Sequence, residues 1–161
     1  MSYKTKSIIS ALVLTFFFCC FSFLPDLSIA QNSYGSDALC GEWWTPERQG
    51  RITFFKNGST FSGKVSWIKK NIDPETGNPI LDKHNPDPSL RQRPITGLVL
   101  FYNFKYNASK DKYVDGSLYD SDHGNTYSCW IKLIDKDVLE LHGYIGFSLL
   151  GKSVYFTRVK K

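Results

Sequence analysis

From Cys40 onward the chain shows no helix-period segment of useful length. It shows repeated alternation of apolar and polar residues at period two, which is the pattern of half-buried strands. Strands are predicted at 41–46, 51–56, 60–69, 98–106, 112–119, 126–135, 138–146 and 152–159. Asn57-Gly58 joins the second to the third as a tight hairpin, since both residues tolerate the positive φ such turns require. Within 60–69, Phe61, Val65 and Trp67 share one face, with Ser62, Lys64 and Ser66 on the other. Within 98–106, the alternation groups Leu98, Leu100, Tyr102, Phe104 and Tyr106.

Eight strands joined mostly by short turns predict an antiparallel meander, and closure into a barrel removes its exposed edges. A barrel of about eight strands leaves an interior that holds side chains or one small ligand. The fold class expected is therefore an all-β antiparallel barrel. One connection departs from the rule. Residues 70–96 carry no period and are rich in Asn, Asp and Pro, the composition of a long shaped loop rather than a short turn.

The N-terminus changes what the domain contains. Lys4 and Lys6 precede an apolar run from Ser7 to Leu24, broken by Pro25 and Asp26 and followed by the small-x-small sequence Ser28-Ile29-Ala30. That is the layout of a secretory leader, with residues 1–30 removed after Ala30 and residues 31–161 forming one domain. The expected location is periplasmic or secreted. Cleavage removes two lysines and one aspartate, lowering the formal net charge from +5 by one. The remaining basic residues are scattered rather than striped, which argues against a nucleic-acid partner.

Two cysteines remain after cleavage, Cys40 and Cys129. In an oxidising compartment a disulfide between them is the natural expectation, the alternative being two buried free thiols. His84, His123 and His142 lie in separate segments without metal-ligand spacing, so neither a metal site nor a cofactor is expected. Asp120-x-Asp122-x-Gly124-Asn125 has oxygen-rich character, but its spacing fails the EF-hand pattern and reads as a hairpin turn. No nucleophile-elbow or other catalytic signature is present, and no catalytic residue is assigned.

The long loop concentrates Asp73, Glu75, Asp82, Asn85 and Asp87 near Arg91 and Arg93. Two readings stand. The arginines grip an anionic group at a barrel mouth, or they pair with the loop's own acids and cap its backbone. Gly41-x-Trp43 in the first strand and Arg158 in the last resemble the lipocalin signature, in which a Trp packs under an Arg and closes one end of the barrel.

The segments Asp82, Asn85-Pro86-Asp87-Pro88-x-Leu90-Arg91-x-Arg93-Pro94-Ile95-x-Gly97-Leu98, Gly116-Ser117-Leu118-Tyr119-Asp120, Gly124-Asn125-Thr126-Tyr127, Leu141-His142-Gly143-Tyr144-Ile145-Gly146 and Phe156-Thr157-Arg158-Val159 together resemble the bacterial exported family DUF2147. The resemblance covers nearly all of 31–161. It implies a small, single-domain periplasmic protein with a lipocalin-like barrel. The function expected is non-catalytic binding of a small apolar or amphiphilic molecule in the cell envelope. Trp67, Leu100, Tyr102 and Phe104 would line the interior, with Asp82, Asn85, Arg91, Arg93 and Tyr119 at the entrance. The alternatives are a solid barrel that docks on an envelope protein partner, or a hydrolase acting through the 70–96 loop.

Overall fold

A computed structural model describes residues 34–146 and 151–160; the expected leader lies outside them. Eight strands run in chain order around one closed antiparallel barrel. They are β1 (Gly41–Trp44), β2 (Gly50–Asn57), β3 (Thr60–Ile68), β4 (Val99–Asn107), β5 (Lys112–Asp120), β6 (Asn125–Asp135), β7 (Val138–Tyr144) and β8 (Gly151–Arg158). Each strand pairs with its sequence neighbour, and β1 closes the ring on β8 through Trp43↔Arg158 and Trp44↔Thr157. The fold is lipocalin-like and nearly free of helix; three short 3-10 turns are the exceptions among the described residues.

The inward faces fill the interior with aromatic rings. Trp43, Phe54, Phe104 and Tyr113 are almost completely buried. Phe54 meets Phe101 at 5.1 Å between centroids, Phe61 meets Tyr113 edge-on at 5.3 Å, and Phe101 meets Phe156 at 6.2 Å. Such tilted and edge-to-face pairs contribute about 0.5–1.5 kcal/mol each beyond area burial. Gly116 makes room for this packing, because a Cβ there would overlap the Phe104 ring.

Register shifts interrupt strict alternation in several strands, and those in β3 and β4 move residues that the period-two pattern grouped. In β3, Val65 pairs with Ile52 and Trp67 with Arg51, so Ser66 is an extra residue opposite a shifted register. A bulge of this kind reverses the facing of everything beyond it. Trp67 therefore leaves the face of Phe61 and Val65 and packs outside the barrel, edge-on to Trp44 at 5.6 Å. In β4, Asn103 takes a left-handed φ of 61°. Phe101 and Phe104 both turn inward across that kink, while Tyr102 pairs with Ser117 on the outer face.

The end bearing the β4–β5 and β6–β7 turns is sealed by the turn Ser36–Leu39, whose Leu39 is fully buried. Tyr113 holds it there, with its hydroxyl donating to the Ser36 carbonyl at 2.8 Å and accepting from the Leu39 amide at 3.1 Å. The opposite end carries the β5–β6 turn, the β7–β8 connection and the long segment between β3 and β4.

The expected disulfide does not form: Cys40 and Cys129 are both free thiols. Cys129 sits mid-strand on β6, opposite Gly116 and Gly143, and Cys40 immediately precedes β1. Strands β7 and β8 lie between them, three strand spacings of about 4.8 Å. A disulfide needs Cα atoms within roughly 7 Å. Burial pushes the Cys129 thiol up to about 12.

Candidate functional site

The residues singled out in the sequence separate into three places. Arg158 and Trp43 form the seam at the sealed end. The guanidinium carbon stands 4.0 Å from the Trp43 ring centroid. Arg158 also donates to the carbonyls of Lys136 at 2.7 Å, Ala38 at 2.6 Å and Cys40 at 3.2 Å. Gly41 adopts a φ of +124°, and a Cβ there would press on an Arg158 nitrogen at 3.1 Å. One arginine thus binds the first strand, the last strand, the β6–β7 turn and the capping turn.

The second place is the knot around Asp82. This carboxylate is fully buried and accepts from the Tyr119 hydroxyl at 2.6 Å, the Asn85 amide at 2.8 Å and Arg93 at 2.9 Å. Burial alone would raise its pKa. The hydrogen bonds from Tyr119, Arg93 and Asn85 outweigh that and hold it below the usual carboxylate range. Tyr119 moves the other way, to about 12, through burial first and then its bond to Asp82. Arg91 donates to the Asn85 carbonyl at 2.7 Å, and the Asp82 amide to the Arg93 carbonyl at 3.0 Å.

Asp82, Asn85, Arg91, Arg93 and Tyr119 are brought together, as the sequence suggested, and are bonded to one another. Their geometry fastens the loop to the barrel. Gly124 in the β5–β6 turn completes the attachment: at a φ of +70°, it lies so close under the His84 carbonyl that no Cβ would fit. The neighbouring Asp120 carboxylate accepts the Asp122 amide at 3.0 Å and meets His123 Nδ1 at 2.8 Å, the bonding of a turn.

The third place is a cavity. At the mouth opposite the sealed end, Leu118, Tyr127, Leu141, Gly143 and Val154 surround about 470 Å3, with Tyr144, Ile145, Gly151 and Lys152 at its rim. That volume lies in the roughly 300–1,000 Å3 range of small-molecule sites. The cavity has a simple origin. Where the sealed half of the barrel projects Phe54, Phe61 and Phe104 inward, the β5–β8 wall at the mouth projects Leu118, Leu141, Val154 and Gly143, with Tyr127 as its aromatic. A Cβ at Gly143 would meet no atom within 4 Å, so its missing side chain is part of the space.

The residues expected to line the interior do not make this cavity. Phe104 fills the sealed half, Trp67 stacks outside under Arg51, and the Tyr102 hydroxyl donates to the Val99 carbonyl of its own strand. Leu118, Tyr127, Leu141 and Val154 were missed. Their alternation within β5–β8 was visible, but only the barrel closure shows which register positions reach the mouth.

Residues 41–158 match the family model described as an uncharacterized protein conserved in bacteria, DUF2147. The chain belongs to this family. Among solved structures, this DUF2147 member is similar to one described as "Protein HP1028 from the human pathogen Helicobacter pylori belongs to the lipocalin family". That likeness has 24% identity and a TM-score of 0.64, covering 76% of this chain and 83% of the other. It establishes a shared barrel fold. No curated protein matches the chain.

Proposed function

We propose that the protein is a non-catalytic carrier that holds one small apolar or amphiphilic molecule in its barrel mouth, and that it works in the cell envelope after removal of residues 1–30. The observation that supports this reading is the division of the barrel into a filled, sealed half and an open half holding about 470 Å3. A barrel built only as a scaffold would gain stability from filling that space, since unfilled apolar volume forfeits dispersion contacts. The hydrolase reading has less behind it, because the loop's buried acid already bonds Tyr119, Asn85 and Arg93. The leader-like N-terminus supports export.

Native mass spectrometry of protein taken gently from the periplasm of an expressing host tests the carrier reading. The expected result is a discrete adduct that is lost on denaturation and absent from Gly143→Phe, whose ring would occupy the cavity. A wild-type chain that carries no adduct and does not brighten N-phenylnaphthylamine fluorescence would overturn it.

A further inference from the structure

Among the described residues the cavity is apolar except at its rim, whose one charged side chain is Lys152. Lys152 pairs with Gly143 across the β7–β8 ladder, two positions before the cavity residue Val154 on the same strand face. Alternation along β8 therefore directs Val154 into the cavity and Lys152 over its opening. Lys152 makes no ion pair or side-chain hydrogen bond among the described residues, unlike Lys56 and Lys83, which are held by Asp37 and Asp73. Among the described residues, no acid lines the cavity. The carboxylate at the end of β5, Asp120, is occupied by His123 and the Asp122 amide. The segment Gly146-Phe-Ser-Leu-Leu-Gly151 between the last two strands contains no charged residue. Ile145, which also lines the opening, is 75% exposed.

These features describe one kind of guest. An apolar chain in the depth of the cavity loses water at no electrostatic cost, and a charged group cannot follow it there without a partner. At the opening the available partner is an ammonium, so the guest's polar end should be an anion. A phosphate is ordinarily gripped by several donors, such as arginine forks or a cluster of backbone amides. One lysine on a bare strand suits a monoanion instead. Resting on the carrier reading above, we infer that the ligand is a long-chain carboxylate, its tail against Leu118, Leu141 and Val154 and its headgroup at Lys152.

Fluorescence titration with dansyl-labelled undecanoic acid and with the corresponding dansyl-labelled undecanol tests this. Wild type should bind the acid more tightly than the alcohol. Lys152→Met should weaken the acid by about fivefold, the upper range for one exposed ion pair, and leave the alcohol unchanged. Lys152→Glu should weaken the acid further, and Gly143→Phe should abolish binding of both. Equal losses for acid and alcohol in Lys152→Met, or no loss in either, would overturn the headgroup assignment while leaving the carrier reading intact. Stronger displacement by dodecyl phosphate than by dodecanoate would overturn the choice of carboxylate. If neither probe binds the wild type, the carrier reading itself falls. Thermal melts of each variant accompany the titration, and the exposed position of Lys152 leaves the fold unaffected by its replacement.

Discussion

Arg158 and Trp43 are both register partners across the β1–β8 seam and a cation–π pair at 4.0 Å. The seam needs this help, because β1 has only four residues and meets β8 at two register positions. The arginine adds what the short ladder lacks: a flat cation on the indole and donors for three carbonyls that would otherwise end in water.

Replacing Arg158 with Ala should therefore cost about 2–4 kcal/mol, combining a cation–π contact with hydrogen bonds from a charged donor. Lysine should recover little of it, since a single ammonium cannot reproduce the guanidinium fork. Urea unfolding of the three proteins measures the difference. Equal midpoints for wild type and Arg158→Ala would show that the seam holds without the arginine.

The Asp82 knot should make the loop's attachment depend on pH at both extremes. The Asp82 carboxyl has a folded pKa below its ordinary value of 3.8. Its contribution is therefore fully present above that value and is lost as pH falls through the depressed one. Tyr119 is raised from 10.0 to about 12. Its contribution is present below pH 10 and lost as pH rises through the folded value. Asp82→Asn should lower stability at neutral pH by about 2–4 kcal/mol, as expected for breaking a buried charged pair. The gap to wild type should narrow in acid. Tyr119→Phe should reduce the loss of stability above pH 10 but not remove it, because burial also raises the Tyr113 phenol. Denaturation midpoints across the pH range, read for all three chains, check both limbs.

Arg91→Ala and Arg93→Ala bear on what the loop is for. Both arginines bond within the loop, so each variant should melt earlier than wild type while binding dansyl-labelled undecanol at unchanged affinity. A selective loss of binding at full stability would make the loop part of the ligand site.

Two glycines on neighbouring walls should respond oppositely to one methyl group. Gly116→Ala drives a Cβ into the Phe104 ring and should cost about 1–3 kcal/mol through overpacking. Gly143→Ala places its methyl in open space and should leave the melting temperature nearly unchanged. Thermal melts of the pair distinguish a packed half from an open one; equal destabilisation would mean that the cavity is filled.

The free thiols lend themselves to mass labelling. Iodoacetamide applied without reductant should modify neither quickly in the folded protein, because both thiols are raised by burial, and Cys129 should be the slower. Unfolding in denaturant, still without reductant, should expose both. Labelling that requires reductant would restore the disulfide.

Much of the architecture is determined by the sequence alone. Period-two alternation in 41–159 is enough to count eight strands and place their turns, because a strand's side chains must divide between two faces wherever one face is buried. The Gly41-x-Trp43 and Arg158 pair was equally legible, since the two ends of a closing meander have to meet. The 82–98 segment announced a built loop by its prolines and paired charges. The tertiary structure alone decided the facing of individual side chains. One extra residue at Ser66 and one left-handed residue at Asn103 each shift the alternation, and no local pattern marks them, because a bulge is set by the partner strand. Partnering also decided the fate of the charges: Asp82 is spent on Tyr119, thirty-seven residues away, while Lys152 is left over an apolar opening. The cavity exists for the same reason, since the space opposite Gly143 depends on what the other strands bring to that level of the barrel, a property of closure and register rather than of any one segment.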